Sequence, residues 1–328
     1  MKFYLKIIAS AILATVVAFT ASTPHYDDGM AGLFAPEDHG WVAPETGGKQ
    51  LYGDPPEVES GKGQVRLLYK EWEEATGYRY ISRHQTAPDC VGQATACGLD
   101  MRQAVQALEG LHRVPQQEVD ASSIYGLSRI EIGNTRWAAG SQVGWAMEAV
   151  TDYGLLYKKN YLYAGYDLSN YNANLSRTWG RKGLPSVLER IAELTPVVEY
   201  YQVHNYEQVR DAINAGFPVV VGSDVGFSRR TIFTWGNTKA TRDSDGFLQW
   251  RGTWNHAMCF VGVDDKSRRK GCCCQNSWGR SWVNGPKKLG QDEGSFWVDA
   301  KNVTAMARQG DAFAIVQVNS PLQYRLSL

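Results

Sequence analysis

Two polar side chains at neighbouring strand ends could form half of a nucleophilic catalytic group. His256 precedes the apolar stretch 257–263, and Asn276 ends the stretch 272–276. The residues between them, 264–271, are polar, which is typical of the turn in a hairpin. If the strands pair antiparallel, the His256 imidazole and the Asn276 amide come side by side. A positioned imidazole can act as a general base or acid.

The nucleophile for such a base is expected far upstream, at the start of a helix. Cys90 follows Pro88 and Asp89, and small or apolar residues then recur in steps of three and four: Ala94, Cys97, Met101, Val105 and Leu108. This period predicts a helix with one buried face, which Asp89 could cap. A thiol in the first turn lies at the positive end of the helix dipole, which favours the reactive thiolate. Cys97, on the apolar face, is expected to be a core residue.

Two further helices are predicted between these residues. One runs from Gln142 to Tyr153 and stops at Gly154. The other begins at Tyr206, is capped by Asn205, and leads into the apolar strand 218–221. Ordered sequence is expected to begin near Val65.

Composition excludes some classes of partner. The 34 Lys and Arg residues balance the 34 Asp and Glu residues of this 328-residue chain, and no run of like charge stands out. The sequence therefore predicts neither binding to nucleic acid nor to an anionic membrane surface. It gives no indication of the oligomeric state.

The N-terminal region divides into two predicted segments. Lys2 and Lys6 flank an apolar run that ends before small residues, which is typical of an export signal over 1–22; a buried N-terminal helix is the alternative. The run is too short for stable membrane insertion. Residues 23–64 are rich in Pro and Gly and are interpreted as a linker or an extended arm that follows the surface. The main domain is then expected over 65–328, in a secreted or periplasmic protein.

Five stretches, taken in order, resemble the papain-like cysteine peptidases, the C1 family. They are Cys90 with its helix, 125–132, 143–155, 206–221, and the strands that carry His256 and Asn276. The most specific motifs are Asn255-His256-Ala257 and Asn276-Ser277-Trp278-Gly279, with 294–298 beyond them.

The resemblance implies an α+β fold of two lobes, helical on the left and β-rich on the right, with the active-site cleft between them. It implies a cysteine-type peptidase that hydrolyses peptide bonds through a thioester. Cys90 and His256 would rest largely as a thiolate and an imidazolium, with Asn276 orienting the imidazole and Trp278 covering that bond from solvent.

The oxyanion would be met by the Cys90 backbone N–H and a side-chain amide. The resemblance assigns that amide to Gln85, and Gln93 is the alternative. A protein or peptide substrate is the expected partner, and no cofactor is expected.

The sequence departs from the family pattern around the site. Gln85 stands five residues before Cys90, where the family has six, and Val91 replaces the usual Trp. The second cysteine that normally precedes the nucleophile is Ala87 here. The family's Gly-Gly segment, which binds the substrate backbone, is reduced to the stretch 138–142, so this binding is expected to be weakened. His256 follows Cys90 by 166 residues, more than papain-type spacing, so an insertion is expected in 227–252 that could overhang the cleft.

The run Cys272-Cys273-Cys274 does not predict a metal site. Consecutive strand residues point to opposite faces, so three adjacent thiols cannot all ligate one zinc. A disulfide between Cys259 and one of the three is possible in an oxidising compartment.

Two alternative functions remain open from the sequence. One is a papain-like binding or structural module that is catalytically weak or inactive. The other is a transglutaminase-like acyl transferase that passes the acyl group to an amine.

Overall fold

The computed structural model describes residues 40–44, 55–136, 139–195, 199–227 and 240–319. Within these ranges the α-helices are α1 Leu68–Thr76, α2 Cys90–Leu108, α3 Ala121–Leu127, α4 Val143–Asp152, α5 Ala173–Lys182, α6 Ser186–Ala192, α7 Tyr206–Asn214 and α8 Ala300–Ala307. The strands are β1 Val65–Leu67, β2 Asn160–Tyr161, β3 Tyr166–Asp167, β4 Glu199–Gln202, β5 Val219–Val225, β6 Ala240–Thr241, β7 Thr253–Asp264, β8 Gly271–Gln275, β9 Val283–Asn284, β10 Ser295–Asp299 and β11 Ala312–Gln317.

Seven of the strands form one antiparallel sheet. Its order is β10-β8-β7-β5-β11-β4, and β1 pairs with β7. The β7–β8 hairpin that the polar stretch predicted is present, with Cys259 opposite Gln275 and Asp264 opposite Gly271. Helices and an antiparallel sheet thus share one fold, and the predicted α+β class is confirmed.

Helix α2 packs against both the sheet and the neighbouring helices. It contacts the sheet through β7, β5 and β11, and it contacts α1, α3 and α4. Small residues permit this close packing: a Cβ on Gly98 would lie 2.8 Å from Ile315 Cδ1. The helix is therefore buried on nearly all faces, not only on the predicted one. Leu108, predicted to face inward, is 42% exposed because the helix ends there at the surface.

The two helices predicted between Cys90 and His256 are confirmed. Helix α4 begins after Gln142, and the chain turns at Gly154, whose φ of +80° favours glycine. Helix α7 is capped by Asn205, which accepts a hydrogen bond from the Gln208 N–H at 2.9 Å. It leads into β5, which is buried along most of its length.

A buried arginine fixes the loop that precedes α4. The Arg129 guanidinium donates to the carbonyls of Gly140, Thr135 and Gly180 at 2.7, 2.8 and 2.7 Å. Ser141, the next residue, shares a hydrogen bond of 2.8 Å with Ser128 between their hydroxyls. These bonds fix the positions of Gly140 and Ser141 ahead of α4.

Several predictions fall wholly or partly outside the described residues. These regions are the predicted export signal over 1–22, most of the arm over 23–64 and about half of the insertion in 227–252. No helix in the part of the chain that the structure describes has the length and apolar character needed to cross a bilayer.

Candidate active site

His256 and Asn276 meet at one end of the sheet, as the hairpin predicted. The His256 Nε2–H donates to Asn276 Oδ1 at 2.8 Å, and the Ser277 backbone N–H donates to the same oxygen at 2.6 Å. Because that oxygen is an acceptor, Nε2 carries the proton in the neutral ring. Nδ1 then has a free lone pair, and it is buried without a partner among the described residues.

Aromatic rings cover this pair. The Trp278 ring lies over the imidazole, with centroids 4.6 Å apart and planes inclined by 31°. Trp254, two residues before His256, packs on Trp278 at 4.6 Å. Sequence reasoning missed Trp254, although its place on the same face of β7 as His256 was a usable signal. The rings exclude water from the Nε2–Oδ1 bond and fix the plane of the imidazole.

Cys90 begins α2 and lies against the strand that carries His256. The Ala257 backbone N–H donates to Cys90 Sγ at 3.4 Å, and the thiol is fully buried. Asp89 occupies the position before the helix, but its carboxylate accepts no hydrogen bond from the backbone N–H groups of the first turn, so the predicted side-chain cap is absent. It accepts instead from the Ser176 hydroxyl at 2.5 Å and from the Gln93 amide at 3.2 Å, because both donors lie beside it in the core.

Burial opposes charge on both reactive groups. It raises the pKa of the Cys90 thiol, against the smaller effect of the Ala257 N–H, and a charged Asp89 raises it further. Burial lowers the pKa of His256 to about 4, against the opposing hydrogen bond to Asn276. In this form the thiol and the imidazole are therefore both neutral at pH 7.

A short piece of the N-terminal region covers the thiol. Residues 40–44, here called the strap, run through the cleft: the Trp41 N–H donates to the Asn255 carbonyl at 3.2 Å and the Val42 N–H to the Ser141 carbonyl at 2.9 Å. The Ser141 N–H donates back to the Gly40 carbonyl at 3.2 Å. Gly40 lies so close to Cys90 that a Cβ on it would be 2.3 Å from Sγ.

Two expectations from the sequence concern the residues of this arrangement. Within the predicted surface arm, Trp41 is 5% exposed and belongs to the hydrophobic core. The stretch 138–142 was expected to bind an extended backbone weakly, yet Ser141 makes two main-chain hydrogen bonds to the strap. The reason is that backbone groups suffice for such pairing, so the loss of the Gly-Gly pair does not prevent it.

Comparisons with known proteins identify the architecture. No protein-family model matches the sequence, and no curated protein does. Among solved structures, xylellain, a cysteine protease from Xylella fastidiosa, superposes with a TM-score of 0.58 at 16% identity over 87% of this chain and 98% of that chain. The chain has the papain-like fold. Procathepsin B S9 from Trypanosoma congolense matches with a TM-score of 0.49 at 12% identity over 86% of both chains. Digestive procathepsin L 3 from Tenebrio molitor matches with a TM-score of 0.46 at 13% identity over 88% of this chain and 77% of that chain.

Ser277, the residue after Asn276, holds the side chain and the backbone of Gln85 in place. The Gln85 amide oxygen accepts from the Ser277 hydroxyl at 2.5 Å, and the Gln85 backbone N–H donates to the Ser277 carbonyl at 2.8 Å. One amide hydrogen is donated to the Ala87 carbonyl at 3.0 Å, which leaves the second. The amide of Gln93, the alternative donor, is bonded to Asp89.

The remaining cysteines lie inside the papain-like fold. All six cysteines of the chain are free and buried, so the disulfide considered for Cys259 is not formed. Cys272, Cys273 and Cys274 occupy β8 between β7 and β10. In the described ranges no group of three His, Cys, Asp or Glu side chains is arranged to hold a metal ion.

Proposed function

We propose that the protein is a cysteine-type peptidase in which Cys90 is the nucleophile, His256 the general acid and base, and Asn276 the residue that orients His256. One observation carries this proposal. The thiol at the start of α2 contacts the residue after His256, while Asn276 holds the imidazole through Nε2 and leaves Nδ1 able to exchange a proton. The papain-like fold supports the same conclusion.

In the proposed reaction, His256 Nδ1 takes the thiol proton and Cys90 Sγ attacks a peptide carbonyl. The imidazolium then gives its proton to the leaving amine as the C–N bond breaks, which leaves a thioester. Water, deprotonated by His256, hydrolyses the thioester and restores the thiol. The Cys90 backbone N–H and the free amide hydrogen of Gln85 would stabilise the oxyanion; losing one such donor typically costs about 100- to 1000-fold in rate.

Turnover requires the strap to leave. Gly40 lies where a substrate carbonyl would have to approach Sγ, and Cys90 and His256 are both buried beneath this arrangement. Water that enters the opened cleft would relieve the desolvation that now keeps both groups neutral. The thiolate and imidazolium pair that the sequence implied therefore belongs to the open form.

The proposal is tested by labelling with a thiol-directed epoxide and by peptide cleavage, in the full chain carrying Trp41→Ala, which removes the buried indole that holds the strap over Cys90. We expect one epoxide per chain, bound at Cys90, and a loss of turnover in Cys90→Ala. Cys97→Ala is the matched control, since Cys97 is a buried thiol of the same helix, and it should keep both properties. Turnover in Cys90→Ala equal to the parent's would refute the nucleophile.

The alternative functions give different results in the same experiment. If the epoxide does not label Cys90 and no peptide is cleaved, even after the strap is displaced, the protein is a papain-like binding module. Incorporation of an added amine into the peptide in place of hydrolysis identifies an acyl transferase.

A further inference from the structure

A small internal cavity lies between α2 and the strands of the β7–β8 hairpin. Ala94 and Cys97 of α2 line one side, and Gln275 of β8 lines the other. Asn276 also lines this cavity, so the cavity borders the amide that holds His256. None of the lining residues is more than 6% exposed. The cavity has room for about one water molecule.

Three of the side chains that line the cavity have polar atoms without a hydrogen-bond partner among the described residues. These atoms are Arg83 Nη1, Asn276 Nδ2, and both Nε2 and Oε1 of Gln275. The nitrogens are donors and the oxygen is an acceptor. Buried polar atoms in native proteins are nearly always bonded to protein or to ordered water. The cavity is therefore the place where a partner common to these atoms would lie.

The rest of the Arg83 guanidinium is held by protein groups. Its Nη2 donates to Asp100 Oδ2 at 2.6 Å and to the Val119 carbonyl at 3.0 Å. Its Nε donates to the Tyr80 hydroxyl at 2.8 Å. These bonds fix the plane of the guanidinium and leave Nη1 to bond a ligand in the cavity.

The charges and atom types around the cavity select a neutral ligand. Arg83 forms ion pairs with Asp100 and Glu118. Lys158 pairs with Glu118 as well, so the positive and negative charges cancel and no excess charge attracts an ion. Because the unpartnered atoms include donors and an acceptor, the ligand must both accept and donate hydrogen bonds. Water does both, whereas a halide ion only accepts.

On the basis of the catalytic roles proposed above, we propose that this cavity holds a water molecule bonded to the Asn276 amide, and that Arg83 and Gln275 are positioning residues that act on His256 through this water. The water accepts hydrogens from Asn276 Nδ2 and Arg83 Nη1 and donates one of its own to Gln275 Oε1. Three hydrogen bonds are typical of a buried water.

This water fixes which way the Asn276 amide faces. With Nδ2 bonded to the water, Oδ1 stays on His256 and on the Ser277 N–H, and the imidazole keeps its proton on Nε2. An amide rotated by half a turn would present Nδ2 to the imidazole, which would then carry its proton on Nδ1. That nitrogen could no longer take the proton of Cys90. Arg83 and Gln275 thus favour the tautomer that the proposed reaction needs.

The tautomer is measured in the full chain by nitrogen NMR of the His256 imidazole at pH 7, where the ring is neutral because burial lowers its pKa to about 4. We expect the parent to carry the proton on Nε2. Gln275→Met keeps the side-chain length and removes both polar atoms, and it should raise the fraction protonated on Nδ1 about 10-fold. Arg83→Lys, which keeps the charge beside Asp100, should act in the same direction. The double variant should add little, because both changes act through one water.

Gln103→Met is the matched control for loss of a buried glutamine. Gln103 belongs to α2 and bonds to the Leu99 carbonyl and the Tyr157 hydroxyl, but it does not line the cavity. It should lower the thermal unfolding midpoint and leave the tautomer at the parent's value. A tautomer unchanged by Gln275→Met, or changed equally by Gln103→Met, would overturn the positioning role.

The water itself is tested by crystallography of the full chain in sodium chloride, with data collected at a long wavelength where chloride scatters anomalously. We expect a water bonded to Asn276 Nδ2, without anomalous signal, in the parent and its absence in Gln275→Met. A chloride ion at this position, or a cavity without density in the parent, overturns the assignment to water.

The failures of this inference and of the proposed function are distinct. In the full chain carrying Trp41→Ala, adding Gln275→Met should lower kcat for peptide cleavage about 10-fold and leave KM unchanged, because the tautomer affects proton transfer and not binding. Cleavage at the parent's kcat would overturn the positioning role and leave the peptidase intact. If the tautomer changes as expected but no peptide is cleaved and the epoxide does not label Cys90, the proposed function is overturned and the water site stands.

Discussion

Cys90 and the cysteines of β8 are equally inaccessible, but different parts of the molecule cover them. Cys90 and Cys272–Cys274 are all 0% exposed, and burial raises the pKa of each thiol. The β8 thiols are buried by two hydrogen-bonded neighbouring strands and the core. The Cys90 sulfur is covered instead by a glycine of the strap.

The difference shows that the exposure of a thiol does not by itself separate a reactive cysteine from a structural one. What matters is the free energy needed to remove its cover. Opening the sheet around β8 amounts to unfolding the domain. Displacing the strap breaks a few backbone bonds, the Trp41–Asp311 bond and the packing of one indole.

The largest expected effect is on the cover of Cys90. Trp41→Ala removes the buried indole, and truncation of a buried Trp typically costs about 3–5 kcal/mol. We expect the rate of Cys90 alkylation to rise by about 100- to 1000-fold, measured by mass spectrometry of the labelled peptide. Val42→Ala is the matched control in the strap, since Val42 is 38% exposed, and it should leave the rate unchanged. An unchanged rate in Trp41→Ala would mean that the strap does not limit access.

The second prediction concerns the neutral imidazole. His256 has a pKa of about 4 in the folded protein, below its ordinary 6.5, so the unfolded chain takes up its proton first as the pH falls. The wild type should lose about 3 kcal/mol of unfolding free energy between pH 7 and pH 4 relative to His256→Gln, as measured by denaturant unfolding.

The comparison with His256→Gln isolates this one group. Burial raises the pKa values of Asp89 and Asp311 to about 6, so these groups stabilise the fold as the pH falls, but they do so in both proteins. Parallel stability curves for the two proteins would show that His256 is not held neutral by burial.

A smaller effect is expected from the contact between Gly40 and Cys90. Gly40→Ala would place a methyl group 2.3 Å from Sγ, and overpacking of this kind typically costs about 1–3 kcal/mol. Cys90 alkylation should accelerate about 10-fold. The loss of stability caused by Gly40→Ala should disappear in a Cys90→Ala background, where the sulfur is absent. If the effects of Gly40→Ala and Cys90→Ala on the unfolding free energy are simply additive, the added methyl group does not clash with the Cys90 sulfur, and this clash does not displace the strap.

The β7–β8 hairpin and the helix starts could be predicted from the sequence because they depend on local patterns. Three-to-four-residue periods specify the helices α2, α4 and α7, and a polar turn specifies the meeting of His256 and Asn276. These elements carry most of the candidate site.

The strap could not be predicted, for a physical reason. The Trp41–Asp311 bond joins residues 270 positions apart, and Trp41 lies in a Pro- and Gly-rich stretch with no period that would indicate burial. Its main-chain bonds to Ser141 and Asn255 depend on backbone geometry, and any residue type can form them, so the sequence does not indicate them. The role of Asp89 was mispredicted for the same reason, since its partner Ser176 is 87 positions away.

The smallest expected effect separates the two kinds of buried thiol most clearly. When Trp41→Ala exposes Cys90, the reactivity of Cys272, Cys273 and Cys274 should not change, because the strands that cover them do not depend on the strap. Under native conditions these three thiols should react only at the rate of global unfolding, which denaturant accelerates for all three together. Cys259, opposite Gln275 on β7, serves as a further internal reference. If the β8 thiols became reactive as soon as the strap was displaced, the strap would stabilise the sheet as well as cover the cleft, and the distinction between the two regions would fail.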